Sequence, residues 1–372
     1  NNIMITFNPD KFGYYQVGDR KTYRKLEALE WSNQTNIAPR WNFNDEIFSQ
    51  YDWTIEPNIN LWDLYKERAR QIRNAYDYCV IFYSGGSDSH NLLNAWIEAD
   101  CKIDEIATTW NYKTTGELYN HQNAEITHVV LPDIKALQNK GYDFKFRLIE
   151  LPEISLKLFD DWKLDFEYNI NLTPSVNSSG KHLIRKYIDD YKKIIYSGKK
   201  LCFIWGMEKP CIENNNENLY YYFYDRDDCL GTTVQNNYFN GWYDEYFYWS
   251  PDCPLIPIKQ SHIIKKFISQ VNIESFYVNY YNSHGYNSKI KMYLSDNTMK
   301  TLLYPKWSNS IYCNGKTATG YIFSERDKWF HKRKDILVQR YVEAIKSFKT
   351  IAGNKYNITD KLIPFHSKKY LI

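Results

Sequence analysis

Several features that would assign this chain to a class at once are missing from its sequence. Its seven cysteines are scattered and form no Cys-x-x-Cys pair, which argues against the common zinc and iron–sulfur sites. Cysteines of this kind predict a reducing compartment. No apolar run reaches the roughly 18 residues that a membrane-spanning helix needs. No basic and then apolar signal segment is evident either. We therefore expect a cytoplasmic protein with no membrane partner.

An excess of charge of one sign is missing as well. The formal net charge is +3 over 372 residues, so bulk composition does not drive the chain toward nucleic acid. Aromatic residues are abundant instead, with 34 Tyr and 12 Trp beside many Asn, Lys and Ile residues. Stacking platforms for bases are one interpretation. Because the aromatics are spread along the whole chain, we favour an AT-rich genome, such as that of a bacteriophage or a low-GC bacterium.

The most informative segment is an apolar strand that runs into a glycine-rich turn. Residues 79–83 are continuously apolar and rich in β-favouring side chains, as in a buried parallel strand. Residues 84–89 read Ser-Gly-Gly-Ser-Asp-Ser, and apolar residues at helical spacing follow them. In such a turn the main-chain N–H groups and the helix N-terminus together bind phosphate. The glycines allow the backbone to approach closely, and Asp88 is placed to hold a magnesium ion.

Two better-known phosphate-binding loops do not fit this segment. The loop of the common nucleotide triphosphatases is Gly-x-x-x-x-Gly-Lys-Ser/Thr, and residues 84–89 lack its lysine. A fragment at residues 175–182 imitates that motif, but Ser175 replaces its first glycine and His182 replaces its hydroxyl residue. The Gly-x-Gly-x-x-Gly spacing of dinucleotide-binding folds is not found in the turn.

Residues 84–89 resemble the Ser-Gly-Gly-x-Asp-Ser signature of the PP-loop, or N-type, ATP pyrophosphatases. This superfamily includes asparagine, GMP and NAD synthetases, tRNA lysidine and thiolation enzymes, and nitrile synthetases that form preQ0. The similarity at the level of residues covers about residues 78–99, and elsewhere only the order of elements is similar. The resemblance implies a member that is either asparagine-synthetase-like or acts on a nucleobase, and the composition suggests that it is phage-encoded.

The resemblance further implies an ATP-dependent adenylating ligase or transferase that uses Mg²⁺. A carboxylate or amide-type carbonyl oxygen attacks the α-phosphorus and pyrophosphate leaves. An amine, ammonia or sulfur nucleophile then releases AMP. Since no amino-terminal cysteine glutaminase segment is evident, we expect ammonia or sulfur to come free or from a partner protein. The acceptor is a small molecule or a nucleobase, and oligomerisation stays open.

Two other classes of function remain as alternatives. The first is the same activation chemistry applied to a tRNA or DNA base, which a clustered basic and aromatic surface beside the cleft would favour. The second is a nucleotide-binding regulator that keeps the fold without turnover. The intact Asp88 and the three serines of the turn argue against such a loss of activity.

Strands and helices alternate after residue 78. This order predicts an α/β fold with a doubly wound parallel sheet, and the resemblance makes it HUP-like. Strands are predicted at residues 79–83, 105–110, 144–151, 201–205 and 219–224, and helices at residues 21–31, 61–73, 124–139, 181–196, 263–271 and 328–348. We divide the chain into an accessory helical segment (1–73), a nucleotide-binding domain (74–213) and a mostly helical, substrate-specifying region (214–372).

Ligands of such sheets bind beyond the carboxyl ends of the strands. The predicted nucleotide-binding residues are Tyr83, Ser84, Gly85, Gly86, Ser87, Asp88, Ser89, Thr109, Trp110 and Gly206. Of these, Thr109 and Trp110 would meet the adenine, as the second strand does in the family.

Acidic and basic side chains complete the predicted site. Asp88 is both a metal ligand and a catalytic residue, and Glu208 is the second predicted metal ligand. Lys209 and Lys259 are predicted to stabilise the charge on the phosphates. Residues 206–210 could instead form a turn that simply faces water. Likewise, Lys259 and His262 could be an ordinary surface pair without a catalytic role.

Overall fold

The computed structural model describes residues 8–111, 125–162, 184–206, 210–215, 218–225, 241–270, 291–292, 296–307, 325–353 and 365–372. Its strands, β1 to β12, are Tyr14–Val17, Arg20–Thr22, Arg40–Asn42, Tyr78–Phe82, Glu105–Trp110, Lys145–Glu150, Leu201–Trp205, Cys211–Asn215, Asn218–Tyr222, Trp242–Tyr246, Lys291–Met292 and Tyr370–Leu371. Its α-helices, α1 to α11, are Lys25–Thr35, Asp45–Phe48, Leu61–Ala75, Ser87–Glu98, Leu131–Asn139, Leu151–Trp162, Asp189–Tyr196, Leu255–Ile268, Asp296–Leu303, Glu325–Lys332 and Ile336–Ala352. Within the described residues no helix is both long and apolar enough to cross a lipid bilayer.

A five-stranded, all-parallel sheet lies at the centre of the fold. Its strand order is β10-β7-β4-β5-β6. The chain therefore builds outward from β4 through β5 to β6, and then crosses back to add β7 and β10 on the other side. This is the order of doubly wound folds that bind nucleotides at the reversal point. Together with the flanking helices it confirms the predicted α/β class.

The first four predicted strands and the third predicted helix fall close to their expected places. β5 and β7 occupy the predicted residues, and β4 and β6 differ from the prediction by one residue at each end. The helix predicted at residues 124–139 is also present, with a π-helical turn at Ile126–Val130 just before Pro132. These segments are long or continuously apolar, so their local signals are strong.

The fifth strand of the sheet was not predicted. β10 lies in the region that we expected to be mostly helical, and it pairs in parallel with β7. The sequence pattern conceals it because the strand contains Asp244 and Glu245, which read as exposed residues. Both carboxylates are in fact buried. The expected division at residues 73 and 213 stays a prediction, but the main hydrophobic core takes side chains from all three segments.

Buried ion pairs are made by β10 on both faces of the sheet, because successive residues of a strand point to opposite faces. Glu245 Oε1 lies 2.6 Å from Lys11 Nζ, and its Oε2 lies 2.7 Å from Arg68 Nη2. Burial opposes the charge of Glu245, but the two cations outweigh it and lower the pKa of its carboxyl. Asp244, on the other face, accepts hydrogen bonds from Arg185.

Several other boundaries differ from the prediction. The amino-terminal segment is not only helical, because it contains a three-stranded antiparallel sheet in the order β2-β1-β3. As a result α1 begins at Lys25 rather than at residue 21. The long terminal helix is interrupted at Asp335, whose carboxylate caps α11. Helix α8 begins at Leu255 rather than at residue 263. It can include Pro257, because a proline in the first turn of a helix loses no hydrogen bond.

Candidate functional site

The glycine-rich turn lies at the point where the sheet reverses its order. It follows β4, which pairs with β5 on one side and with β7 on the other. The main chain at Tyr83 is still bound to the neighbouring strand: its N–H donates to Ala107 O at 2.9 Å, and Thr108 Oγ1 donates to its carbonyl at 2.6 Å. The turn therefore leaves the sheet at the crevice where doubly wound folds bind ligands.

Hydroxyl groups within the turn fix its shape. The N–H of Ser84 donates to Ser89 Oγ at 3.1 Å, and the hydroxyl oxygens of these two serines are 3.2 Å apart. Ser89 Oγ in turn donates to the carbonyl of Gly86 at 3.0 Å. Two of the three serines that we predicted to bind phosphate therefore also close the turn on itself, which orders its backbone in advance.

The helix that follows the turn has no side-chain cap. Its N-cap is Gly86, and α4 begins at Ser87. Glycine has no side-chain oxygen to accept the N–H groups of the first helical turn, whereas serine or aspartate is the usual residue at this position. An uncapped helix N-terminus concentrates N–H donors and partial positive charge at one place, which suits a phosphate group.

Gly85 is needed for both its backbone conformation and its lack of a side chain. Its φ is +79°, and a Cβ atom added there would lie 3.0 Å from the carbonyl oxygen of Glu125. We expect Gly85→Ala to lower the free energy of unfolding by more than the roughly 1–2 kcal/mol that a left-handed backbone alone costs. Urea denaturation measures this loss.

Gly141→Ala is the matched control for that variant. Gly141 has a φ of +87°, but a Cβ atom there would meet nothing within 4 Å. The two variants therefore share the backbone penalty, and they differ only in the close contact. Equal losses of stability in both would contradict the tight packing of the turn against residues 125–130.

Gly206 brings the end of β7 against the start of α4. A Cβ atom on Gly206 would lie 3.0 Å from the carbonyl oxygen of Asp88 and 3.1 Å from the nitrogen of Ser89. The structure thus joins Gly206 to the turn, as predicted from the carboxyl ends of the strands. Glu208 and Lys209 lie outside the described residues, so their roles remain predictions.

Two buried tyrosines that the sequence analysis missed hold Asp88. Tyr304 donates its hydroxyl to Asp88 Oδ1, and Tyr248 donates to the main-chain carbonyl of Asp88 at 2.7 Å. Asn91 Nδ2 donates to the hydroxyl of Tyr248 at 2.9 Å. Burial, together with the nearby Asp88, raises the pKa of both tyrosines well above the usual value, so both hydroxyls stay protonated as donors.

Tyr83 lies on the other side of the turn and has a supporting part. Its side chain is buried, and its hydroxyl donates to Asp133 and lies 3.1 Å from His90 Nδ1. Burial raises the pKa of Asp133, but the hydrogen bonds from His90 and Tyr83 outweigh it and lower the pKa below its usual value. The side chain of Tyr83 therefore ties the turn to α5, whereas we predicted a contact with the nucleotide.

The remaining predicted residues divide into two groups. Thr109 and Trp110 end β5, the strand next to β4, and are half-buried, and their contact with adenine stays a prediction. Lys259 lies within α8, where its Nζ is 2.5 Å from Glu56 Oε1 and 3.0 Å from the carbonyl oxygen of Pro57. These contacts tie α8 to the segment before α3. They do not support the predicted catalytic role of Lys259, which stays a prediction.

The donor set of the turn suits a magnesium ion only in part. Within the described ranges no group of three or more His, Cys, Asp or Glu side chains is arranged to hold a metal. Asp88 is the carboxylate at the start of α4. Since Mg²⁺ is commonly held by one or two carboxylates together with substrate phosphates and water, Asp88 fits an ion that arrives with a nucleotide.

No protein-family model, curated protein or solved structure matches this chain. The likeness to the PP-loop enzymes therefore depends on residues 84–89 and on their place in the sheet.

Proposed function

We propose that this protein is an ATP pyrophosphatase of the PP-loop type with a HUP-like nucleotide-binding fold. It would transfer AMP to a carboxylate or amide-type carbonyl oxygen, and would thereby act as an adenylating ligase or transferase. One observation carries the proposal: a helix that begins at an N-cap glycine, directly after a Ser-Gly-Gly turn, at the reversal point of a parallel sheet.

The residues of the turn would bind the outer phosphates of ATP. The N–H groups at the start of α4 and of the glycine backbone would donate hydrogen bonds to the pyrophosphate part, with Ser87 as a further donor. The half-buried edge at Thr109 and Trp110 is one strand away, on the side where the adenine would lie. A magnesium ion at Asp88 would neutralise charge on the phosphates.

The chemistry would then depend on position and charge rather than on a covalent intermediate with the protein. The acceptor oxygen forms a bond to the α-phosphorus, and the bond from that phosphorus to the bridging oxygen breaks, releasing pyrophosphate. An amine, ammonia or sulfur nucleophile subsequently attacks the activated carbon and releases AMP. Donors fixed before the reaction, such as those of this turn, suit the charge that develops on the leaving pyrophosphate.

Calorimetric titration with ATP and Mg²⁺, followed by analysis of the products, tests this proposal. The acceptors offered would be amino acids, which carry carboxylates, and nucleosides and tRNA, whose bases carry amide-type carbonyls. Formation of AMP and pyrophosphate supports the proposal, and the acceptor that stimulates it separates the small-molecule reaction from base modification. Formation of ADP would contradict attack at the α-phosphate. Binding of ATP without turnover on any acceptor would favour a regulator instead.

A further inference from the structure

The carboxylate of Asp88 is held by a residue that is remote in the sequence. Tyr304 follows directly after α9, its side chain is 1% exposed, and its hydroxyl donates to Asp88 Oδ1. This contact is made to the side chain of Asp88 rather than to its backbone. The carboxylate is thereby fixed at one oxygen.

The segment around Tyr304 packs along the whole of α4. The ring of Trp307 meets that of His90 at a centroid distance of 5.8 Å, and Lys306 Nζ lies 2.8 Å from Glu98 Oε1 near the other end of the helix. The position of Tyr304 relative to Asp88 is therefore set by several contacts. An Asp side chain that is held in this way loses rotamer freedom before any ligand arrives.

Tyr248 makes a contrasting contact from the same cluster. Its ring lies 5.6 Å from that of Tyr304 and its side chain is also buried, but its hydroxyl donates to the main-chain carbonyl of Asp88. One tyrosine thus holds the carboxylate and the other holds the backbone of the same residue. Removing one hydroxyl at a time, as in Tyr304→Phe and Tyr248→Phe, separates the contact to the carboxylate from the contact to the backbone.

We infer that Tyr304 is a positioning residue that orients the Asp88 carboxylate toward the magnesium ion of a bound nucleotide. This inference rests on the proposed function, and it adds the segment at residues 304–307 to the nucleotide site. Carboxylates that bind a metal are commonly hydrogen-bonded in turn. Loss of such an outer partner typically weakens metal binding by about 10–100-fold. Without the hydroxyl, the carboxylate would sample orientations that do not face the ion.

The test is the Mg²⁺ dependence of ATP binding, measured by calorimetry at fixed ATP over a series of Mg²⁺ concentrations. For Tyr304→Phe, which keeps the ring, we expect the Mg²⁺ concentration at half-maximal effect to rise about tenfold. Binding of ATP without Mg²⁺ should change little. Tyr248→Phe is the matched control, because it removes a buried hydroxyl from the same cluster but leaves the contact to the carboxylate. Its Mg²⁺ dependence should shift less than that of Tyr304→Phe, because its hydroxyl holds the main chain of Asp88 and not the carboxylate.

A double variant decides whether Tyr304 acts through Asp88. In the background of Asp88→Asn, Tyr304→Phe should cause no further change in the Mg²⁺ dependence. Equal shifts in Tyr304→Phe and Tyr248→Phe, or an unchanged Mg²⁺ dependence in Tyr304→Phe, would overturn the inference while the proposed function stands. Absence of ATP binding by the unmodified protein would overturn both. If Tyr304→Phe does not fold, Tyr304→Leu replaces it, since it also lacks the hydroxyl and adds no volume at this buried position. An additive effect of that variant and Asp88→Asn on the Mg²⁺ dependence would likewise contradict the inference.

Discussion

Replacement of Asp88 with asparagine is expected to slow the formation of AMP and pyrophosphate by about a hundredfold or more. The substitution removes the negative charge at the start of α4, which is the described carboxylate best placed for a magnesium ion. An amide oxygen can still accept the hydroxyl of Tyr304, and the backbone contact with Tyr248 is unchanged. The variant should therefore keep its fold and its thermal unfolding temperature. ATP binding should also lose most of its dependence on Mg²⁺.

Asp63→Asn is a suitable control for that experiment. Asp63 is an exposed carboxylate near the start of another helix, and the change in charge is the same. We expect AMP formation and the Mg²⁺ dependence to be unchanged in this control. An Asp88→Asn variant with full activity would remove Asp88 from the proposed metal site, whatever the outcome for the rest of the turn.

Replacement of Glu245 with glutamine is expected to lower the free energy of unfolding by about 3–5 kcal/mol. Glu245 is fully buried and lies between Lys11 and Arg68, and it also accepts the hydroxyl of Tyr76. Glutamine has nearly the same volume but no charge, so it would leave two buried cations without a counter-ion. Loss of the pair would loosen β10 from α3 and from the amino-terminal segment at once. Urea denaturation followed by tryptophan fluorescence measures the change.

An exposed ion pair provides the comparison for this effect. Glu56 is paired with Lys259 at 2.5 Å, but its side chain is 53% exposed. We expect Glu56→Gln to cost at most about 1 kcal/mol, since solvent screens such pairs. A Glu245→Gln variant that is no less stable than this control would contradict the structural importance of the buried network.

The pKa of Glu245 is held below its usual value, so its stabilising effect is present above the unfolded pKa and is lost as the pH falls through the folded value.

The elements that could be predicted are those whose signals are local. The β-branched residues of β5, the apolar run of β7, and the strand, turn and helix around residues 84–89 are each encoded within about twenty consecutive residues. The carboxyl-end rule then placed Gly206 beside the turn, and the structure confirms that contact. A parallel sheet followed from the alternation of strands and helices.

The elements that were missed depend on partners far away in the chain. β10 could not be recognised, because Asp244 and Glu245 become buried only when Arg185, Lys11 and Arg68 meet them. The arrangement around Asp88 was hidden for the same reason. Tyr304 and Tyr248 are two of the 34 tyrosines, and no spacing in the sequence marks them as its partners.

The glycine-rich turn and the α/β class follow from the sequence alone, because glycine spacing and apolar periodicity act within one short segment. Only the tertiary structure shows which strand completes the sheet and which side chains hold the Asp88 carboxylate. It also shows that the hydroxyl of Tyr83 donates to Asp133. The physical reason is that burial of a polar group is tolerated only where a partner satisfies it, and the fold alone brings those partners together.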